Sequence, residues 1–225
     1  MKLMTCASSS YSMTPPFRCT LFLRCILAVP IRPSHEPGQV PMGGHMDAPN
    51  TTIREIALPV SVFHALKDEL FGEAGVAPTT RALHQAGYRA GNDAVETFTA
   101  GLPGGGLEMG ESAFWSRLED FFSRRGWGAL KPITGQAKVG LLVSEDWAEA
   151  TPNDTSPEAS CSFTTGFMSG LLSQIAGGPV AVLEVSCRTR GDDACRFGFG
   201  SERAITDLHG LLLDGADLDS ALADG

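Results

Sequence analysis

The chain has 225 residues, of which 43% are hydrophobic and 19% charged, and its 17 basic against 26 acidic residues give a net charge of −9. This composition suits a packed core and excludes a collagen-like or wholly disordered chain. The acidic balance argues against direct binding to nucleic acid, which needs a basic face. Because no run of about 18 apolar residues occurs, we expect no membrane-spanning helix.

Residues 1–45 differ in composition from the rest of the chain. They contain six of its 14 prolines and only one acidic residue, and proline at this density excludes a regular periodicity. We expect a disordered leader or an over-extended start, with the folded body beginning at Met46. A secretory signal peptide is disfavoured because Arg24 interrupts the most apolar piece, and we expect a cytoplasmic protein.

The body begins with three predicted helices. Apolar residues at helical spacing predict them over Pro59–Phe71, from Thr79 or Thr80 to about Phe98, and over Ser112–Arg125. Small residues in the second helix predict that a neighbouring backbone approaches it closely. These small residues are Ala86, Gly87, Ala90 and Gly91.

The second half of the chain changes to the period of strands. Alternation predicts a strand over Ala137–Val143, and a helix from about Ser162 to Gln174 follows, stopped at Gly177. Val180–Ser186 and Arg196–Phe199 then read as the two strands of a hairpin. Helices first, then strand, helix and hairpin, predict an α+β fold with several helices packed on a small antiparallel sheet. The domain itself is expected to span residues 46–201, with residues 202–225 forming an acidic C-terminal helical tail.

Three of the six cysteines fall close to the predicted hairpin. Cys161 opens a helix, while folding of the hairpin brings Cys187 and Cys195 close together. Glu184 precedes Cys187 by three residues. In a regular strand such residues point to opposite faces, so the two can share a ligand only if the strand ends or bulges between them.

These four side chains make a metal site conceivable from spacing alone. Three thiolates and one carboxylate would complete a closed, four-coordinate structural zinc site. Two alternatives remain open. In a reducing cytosol the cysteines can be small buried hydrophobes, and in an exported chain Cys187 and Cys195 could form a disulfide that leaves Cys161 unpaired.

Three segments carry a resemblance to a known family. They read CSFTTGFMSGLL at 161–172, VAVLEVSC at 180–187 and RGDDACRF at 190–197. In order, they supply a cysteine before a glycine-aromatic helix, a Glu-x-x-Cys strand end and a Gly-Asp-x-x-Cys-x-Phe return strand. The sequence thereby resembles the 4-vinyl reductase (4VR) domain family, as a stand-alone member, most specifically over residues 161–199.

The resemblance implies a fold, a cofactor and partners. The fold is the family's α+β fold, similar to trafficking-complex subunits, with a C-terminal β-hairpin pinned by zinc. The resemblance places a structural Zn²⁺ on Cys161, Glu184, Cys187 and Cys195. It also implies a pocket for a small apolar or aromatic molecule and a homodimer formed through amino-terminal helices. We therefore expect a sensor or ligand carrier that works with a separate regulatory or biosynthetic partner.

The family offers a second interpretation, a component of bacteriochlorophyll (tetrapyrrole) biosynthesis acting as a 4-vinyl reductase-like enzyme or substrate carrier. The sequence lacks a dinucleotide fingerprint, so such a reductase would take its hydride from elsewhere. No Ser/His/Asp set or carboxylate pair can be argued, and no catalytic residue is assigned. Because the histidine that holds phenol in aromatic-responsive relatives cannot be aligned here, phenol is not implied.

The ligand-binding candidates are aromatic residues beside small ones. Aromatic residues at helical spacing are more often core than ligand site. Tyr88, Trp115 and Phe167 are nevertheless singled out, because small neighbours could leave space next to each of them.

Overall fold

The computed structural model describes residues 55–102, 109–133, 138–151 and 160–224. The proposed leader, residues 1–45, lies outside the described residues, as does the first residue of the strand predicted from Ala137. The elements, in chain order, are α1 (Val60–Ala74), α2 (Val76–Thr99), α3 (Glu111–Ser123), β1 (Lys131–Ile133), β2 (Gly140–Ser144), α4 (Ser162–Ala176), β3 (Ala181–Ser186), β4 (Cys195–Gly200), α5 (Glu202–Leu213) and α6 (Leu218–Asp224).

The predicted α+β architecture is confirmed. The strands form one antiparallel sheet in the order β1-β2-β4-β3, and helices pack against it. A three-residue turn of 3₁₀ helix, Arg188–Arg190, joins β3 to β4. The turn closes at Gly191, whose φ of 95° is a left-handed conformation that favours glycine.

The boundary between the first two helices differs from the sequence prediction. Gly72 does not end α1, which continues to Ala74. A single residue, Gly75 with φ 79°, separates the two helices, and α2 already begins at Val76. Pro78 does not prevent this early start, because a first-turn residue has no intrahelical partner for its N–H.

Strand β1 was not anticipated from the sequence. It has only three residues, Lys131–Ile133, and lies at the edge of the sheet next to β2. Pro132 is tolerated there because an edge strand leaves one row of backbone groups unpaired. Three residues with a central proline carry too little alternation to be recognised.

Helices α2 and α4 pack backbone against backbone through four glycines. A Cβ atom added at any of them would collide with a carbonyl oxygen of the facing helix. The four are spaced i, i+4 on each helix, and they are Gly87, Gly91, Gly166 and Gly170. This contact confirms the close approach predicted from the small residues of α2.

The sheet is covered on both faces. On one face, Leu142 and Phe197 join the main core with α3 and α4. On the other, Leu141 packs with α5 and α6, and Leu208 of α5 is completely buried. The side chain of Ser201 caps α5 by accepting a hydrogen bond from the N–H of Ala204. The helices predicted as a tail therefore form a layer of the fold.

Candidate metal centre and ligand cavity

The four predicted metal-ligating side chains converge at one point between α4 and the β3–β4 hairpin. We call this set the Cys₃Glu cluster: Cys161, Glu184, Cys187 and Cys195. One potential ligand atom from each side chain lies within 4.8 Å of the others. The thiols are free, without a disulfide between Cys187 and Cys195.

A β-bulge brings the glutamate and the second cysteine to the same side of the sheet. In the β3–β4 ladder Glu184 pairs with Phe197, whereas Ser186 pairs with Arg196, so the register shifts at Val185. The extra residue reverses the alternation that follows it. The irregularity is located where the sequence required one, since a regular strand would separate Glu184 from Cys187.

The first ligand stands at the amino-terminal end of a helix. Cys161 is the N-cap residue of α4 and makes no capping bond with its own side chain. Its backbone N–H instead donates to Oε2 of Glu184 at 2.9 Å. The carboxylate thus satisfies one of the free N–H groups at the helix start, and the thiol is left to face the other sulfurs.

The geometry fits a four-coordinate thiolate-rich ion. The Sγ atoms of Cys161 and Cys195 are 3.9 Å apart, against about 3.8 Å for the edge of a tetrahedron built on Zn–S bonds of about 2.3 Å. Oε1 of Glu184 is buried and lacks any hydrogen-bond partner. A buried carboxylate oxygen without a partner is costly, and a cation would satisfy it.

The protonation states within the cluster are strongly perturbed. Burial raises the pKa of Cys161 well above its usual value. Burial, followed by the charge of Cys187, raises the pKa of Glu184 to about 9. Hydrogen bonds from Cys161 and Cys195 lower the pKa of Cys187. For Cys195 the hydrogen bond with Cys161 lowers the pKa, but contact with Cys187 and burial outweigh it and raise the pKa to about 12.

The hairpin turn orients the cysteines it connects. The backbone N–H of Cys187 donates to Oδ2 of Asp192 at 2.7 Å, so Asp192 caps the turn as its position in the sequence suggested. The backbone N–H of Arg188 points at Sγ of Cys195, 3.5 Å away. Backbone donors of this kind stabilise negative charge on a thiolate and orient it.

A second buried carboxylate lies at the start of α4, and sequence reasoning missed it. Glu149 is fully buried and accepts hydrogen bonds from the backbone N–H groups of Phe163, at 3.0 Å, and Thr164, at 2.8 Å. Its counter-charge is Lys67 of α1, also buried, with Nζ 4.0 Å from Oε1. Burial raises the pKa of Glu149, while the charge of Lys67 opposes that change. No local pattern links two residues 82 positions apart.

A cavity of about 550 Å³ opens between α2, α3 and α4, and we call it the Phe167 cavity. Aromatic rings and alanines form its apolar wall, and charged side chains stand around it. The lining residues are Glu55, Ile56, Ala57, Ala90, Asp93, Ala94, Thr97, Phe121, Arg124, Arg125, Trp127 and Phe167. Its volume is in the usual range for small-molecule sites.

Only one of the three aromatic candidates lines this cavity. Phe167 does, and it also packs against Phe121 and Phe122. Trp115 lies in the core, where it contacts the ring of Phe199 at 5.5 Å. Tyr88 is 38% exposed on α2. Neither is among the cavity's lining residues, so the structure does not bring the three together.

Fold and site together define a class: an α+β domain with helices on a four-stranded antiparallel sheet and a Cys₃Glu cluster between a helix start and a hairpin. The family model of the vinyl-4-reductase (4VR) domain matches residues 146–201. That span includes all four residues of the cluster. The resemblance to the vinyl-4-reductase family is thereby confirmed over this segment.

The relatives found are distant. Over 83 residues the chain is 31% identical to the uncharacterized protein MJ0745 of Methanocaldococcus jannaschii, which is 37% of this chain and 44% of that protein. The match thus spans less than half of the relative's length. A structure of a vinyl-4-reductase family protein from the same organism covers 64% of this chain and 82% of its own, with 17% identity and a TM-score of 0.42.

Two other solved structures are similar to this chain. The phenol-responsive sensory domain of the transcription activator PoxR, solved with phenol, has a TM-score of 0.57 and 19% identity over 73% of this chain and 85% of its own. This is a likeness of fold. A trafficking protein particle complex subunit 3 from Naegleria fowleri, covalently bound to palmitic acid, has a TM-score of 0.49 and 13% identity over 63% of this chain and 91% of its own.

Among the described helices, none combines the length and the hydropathy that a bilayer crossing requires.

Proposed function

We propose that this chain is a zinc-containing protein that binds a small, apolar or aromatic molecule and acts as a sensor or ligand carrier for a separate partner. The observation that carries the proposal is the arrangement along α4. The amino-terminal end of this helix forms part of the Cys₃Glu cluster, and Phe167, further along the same helix, lines the cavity. The folded unit is proposed to be residues 46–201, together with the helices that follow it.

The metal half of the proposal is supported by the donor set. Cys161, Cys187 and Cys195 would supply three thiolates, and Glu184 a carboxylate oxygen whose Oε1 has no protein partner. Such a complete set leaves no position for water, so the ion would be structural and would hold the hairpin to α4. Zinc suits tetrahedral sulfur-rich ligation better than the harder divalent cations do.

The ligand half is supported by the cavity wall. Phe121, Trp127 and Phe167 offer ring faces, and Ala90 and Ala94 leave room beside them. Arg125 lies over the ring of Phe121, 3.8 Å from its centroid, and is paired with Glu55. Apolar walls with a few charged groups at one side are typical of sites for small molecules. Tyr88 and Trp115 remain candidates for a ligand contact elsewhere.

A homodimer is part of the proposal. Helix α1 and the residues before it expose large apolar side chains, which on a monomer are a docking surface or an aggregation hazard. The exposed fractions are 82% for Ile56, 65% for Leu58, 47% for Val62 and 55% for Leu66. A second copy of the chain is the proposed partner.

One experiment tests both halves. Native mass spectrometry of the purified protein, combined with elemental analysis, should find about one zinc per chain and a bound apolar molecule without visible absorbance. A bound pigment would favour the tetrapyrrole alternative over the sensor. Protein that is empty of ligand and metal, and fully stable without zinc, would contradict the proposal.

A further inference from the structure

The only buried residue of α1 is charged. Lys67 is 4% exposed, whereas Val62 and Leu66 on the same helix are 47% and 55% exposed. A helix normally docks through an apolar stripe. The docking of α1 therefore depends to an unusual degree on what the ammonium group of Lys67 contacts.

Lys67 contacts the segment that carries the first residue of the Cys₃Glu cluster. Its Nζ donates to the carbonyl oxygens of Glu149, at 3.1 Å, and Ser160, at 2.9 Å. Ser160 immediately precedes Cys161 in the chain. One lysine thus bridges two stretches of backbone, of which one leads directly into the cluster.

Glu149 connects Lys67 to the first turn of α4. Its two carboxylate oxygens accept from the N–H groups of Phe163 and Thr164 and from the hydroxyl of Thr164 at 2.5 Å. The N-cap residue Cys161 makes no such bond with its side chain. Glu149 therefore performs the capping function, and the thiol of Cys161 is released from it.

Other contacts of α1 reach the same region. Nε2 of His64 is hydrogen-bonded to the carbonyl oxygen of Ala148 at 2.7 Å. The ring of Phe63 packs edge-on against Trp127 and Phe163, with centroids 5.8 and 5.6 Å away. Thus α1 is anchored to residues 148–149 and to the beginning of α4.

We propose that the Lys67–Glu149 pair couples the docking of α1 to metal binding by the Cys₃Glu cluster, with Lys67 as a positioning residue. This rests on the proposed zinc site. Metal bound by Cys161 and Glu184 holds the start of α4, and Glu149 with Lys67 extends that constraint to α1. Because coupling is reciprocal, docking of α1 also favours the metal-bound arrangement of Cys161.

A purely structural ion pair would behave differently. Buried pairs often contribute little net stability, so a change in melting temperature alone would not distinguish the two roles. The distinguishing readouts are the affinity of the protein for zinc and the order in which helices lose protection when zinc is removed. Both can be measured on the full chain.

The experiment uses Lys67→Met, which keeps the apolar stem but removes the donors. We expect its zinc affinity, measured by competition with a chromophoric chelator, to fall ten- to hundredfold, as expected for a residue that orients a metal ligand. Glu149→Gln keeps the shape and one acceptor oxygen, and guards against misfolding of the first variant; it should fall in the same direction. Asp68→Asn, at an exposed position of the same helix, is the matched control and should bind zinc as the wild type does.

Hydrogen exchange supplies the second arm. As a chelator strips zinc from the wild type, amides of α1 (Val60–Ala74) should lose protection before those of α5 (Glu202–Leu213). Wild-type zinc affinity in both the Lys67→Met and Glu149→Gln variants, or simultaneous loss of protection in α1 and α5, would overturn the coupling and leave the zinc site standing. A wild type that binds no zinc would overturn both.

Discussion

At the scale of residues, Glu184 explains how a helix start, a strand and a metal site depend on one another. Its Oε2 accepts the N–H of Cys161, while Oε1 is buried without a partner. The bulge at Val185 is what puts Cys187 on the same side. One carboxylate therefore fixes the relative position of the thiols before any ion is bound.

The raised pKa values predict a steep pH dependence of metal binding. Without metal, Cys161, Glu184 and Cys195 hold their protons at neutral pH, because the pKa of each is raised, to about 9 for Glu184 and about 12 for Cys195. A bound cation must displace these protons. Zinc affinity should therefore fall as pH is lowered from 8 towards 6, as a chelator competition series would show.

Glu184→Gln is the matched control for that series. The amide has no proton to release, so the slope of log affinity against pH should decrease by about one proton per zinc, and the affinity itself should fall. An unchanged slope in this variant would mean that the carboxylate is not a ligand.

At the scale of elements, the contact between α2 and α4 is decided by glycines. The spacing of Gly87 and Gly91 on one helix matches that of Gly166 and Gly170 on the other, so each backbone packs into the gap left by the facing pair. The sequence indicated that some backbone lies close to α2. It did not indicate which, because α4 follows about 70 residues later and any element with a small-residue face would have satisfied the pattern.

Gly87→Ala should loosen this contact. A Cβ there collides with the carbonyl oxygen of Phe163, so the helices must separate, at a cost of about 1–3 kcal/mol or more in the free energy of unfolding. Urea denaturation measures the loss. Gly210→Ala, on α5, is the control: a Cβ there meets nothing within 4 Å, and we expect a gain of about 0.5–1 kcal/mol. Equal effects of the two substitutions would refute the packing argument.

The Phe167 cavity also belongs to this scale, because residues from α2, α3 and α4 line it. Ala90→Leu places a larger side chain in the cavity and should reduce the amount of co-purifying ligand several-fold with little loss of stability. Native mass spectrometry gives the occupancy. Ala86→Leu, at an exposed position of the same helix, should retain full occupancy; if both variants retain it, the ligand binds elsewhere.

At the scale of the whole molecule, the apolar surface of α1 predicts self-association. Leu66 is 55% exposed on a helix whose only buried residue is Lys67. A charge placed in an apolar interface is left unpaired and desolvated, so Leu66→Glu should shift a dimer to monomer in size-exclusion chromatography with light scattering. Leu213→Glu, at a position 73% exposed on α5, should leave the mass unchanged. A monomeric wild type would exclude the homodimer.

The sequence by itself determined the features that depend on short stretches of chain. Cys187, Cys195 and the loop between them are neighbours in a hairpin, and the need for a bulge next to Glu184 followed from strand alternation alone. The principal helices and three of the four strands also followed from periodicity; β1 did not, because three residues show no period.

Only the tertiary structure decided what α1 does and where a ligand would bind. Lys67 and Glu149 are 82 positions apart, and a lysine on an amphipathic helix looks solvated until its packing partner is known. Likewise Trp115 was a pocket candidate by its neighbours, yet it lies in the core, while Trp127 and Arg125 line the cavity. Local patterns report the period of one element, whereas contacts between distant elements depend on how those elements pack.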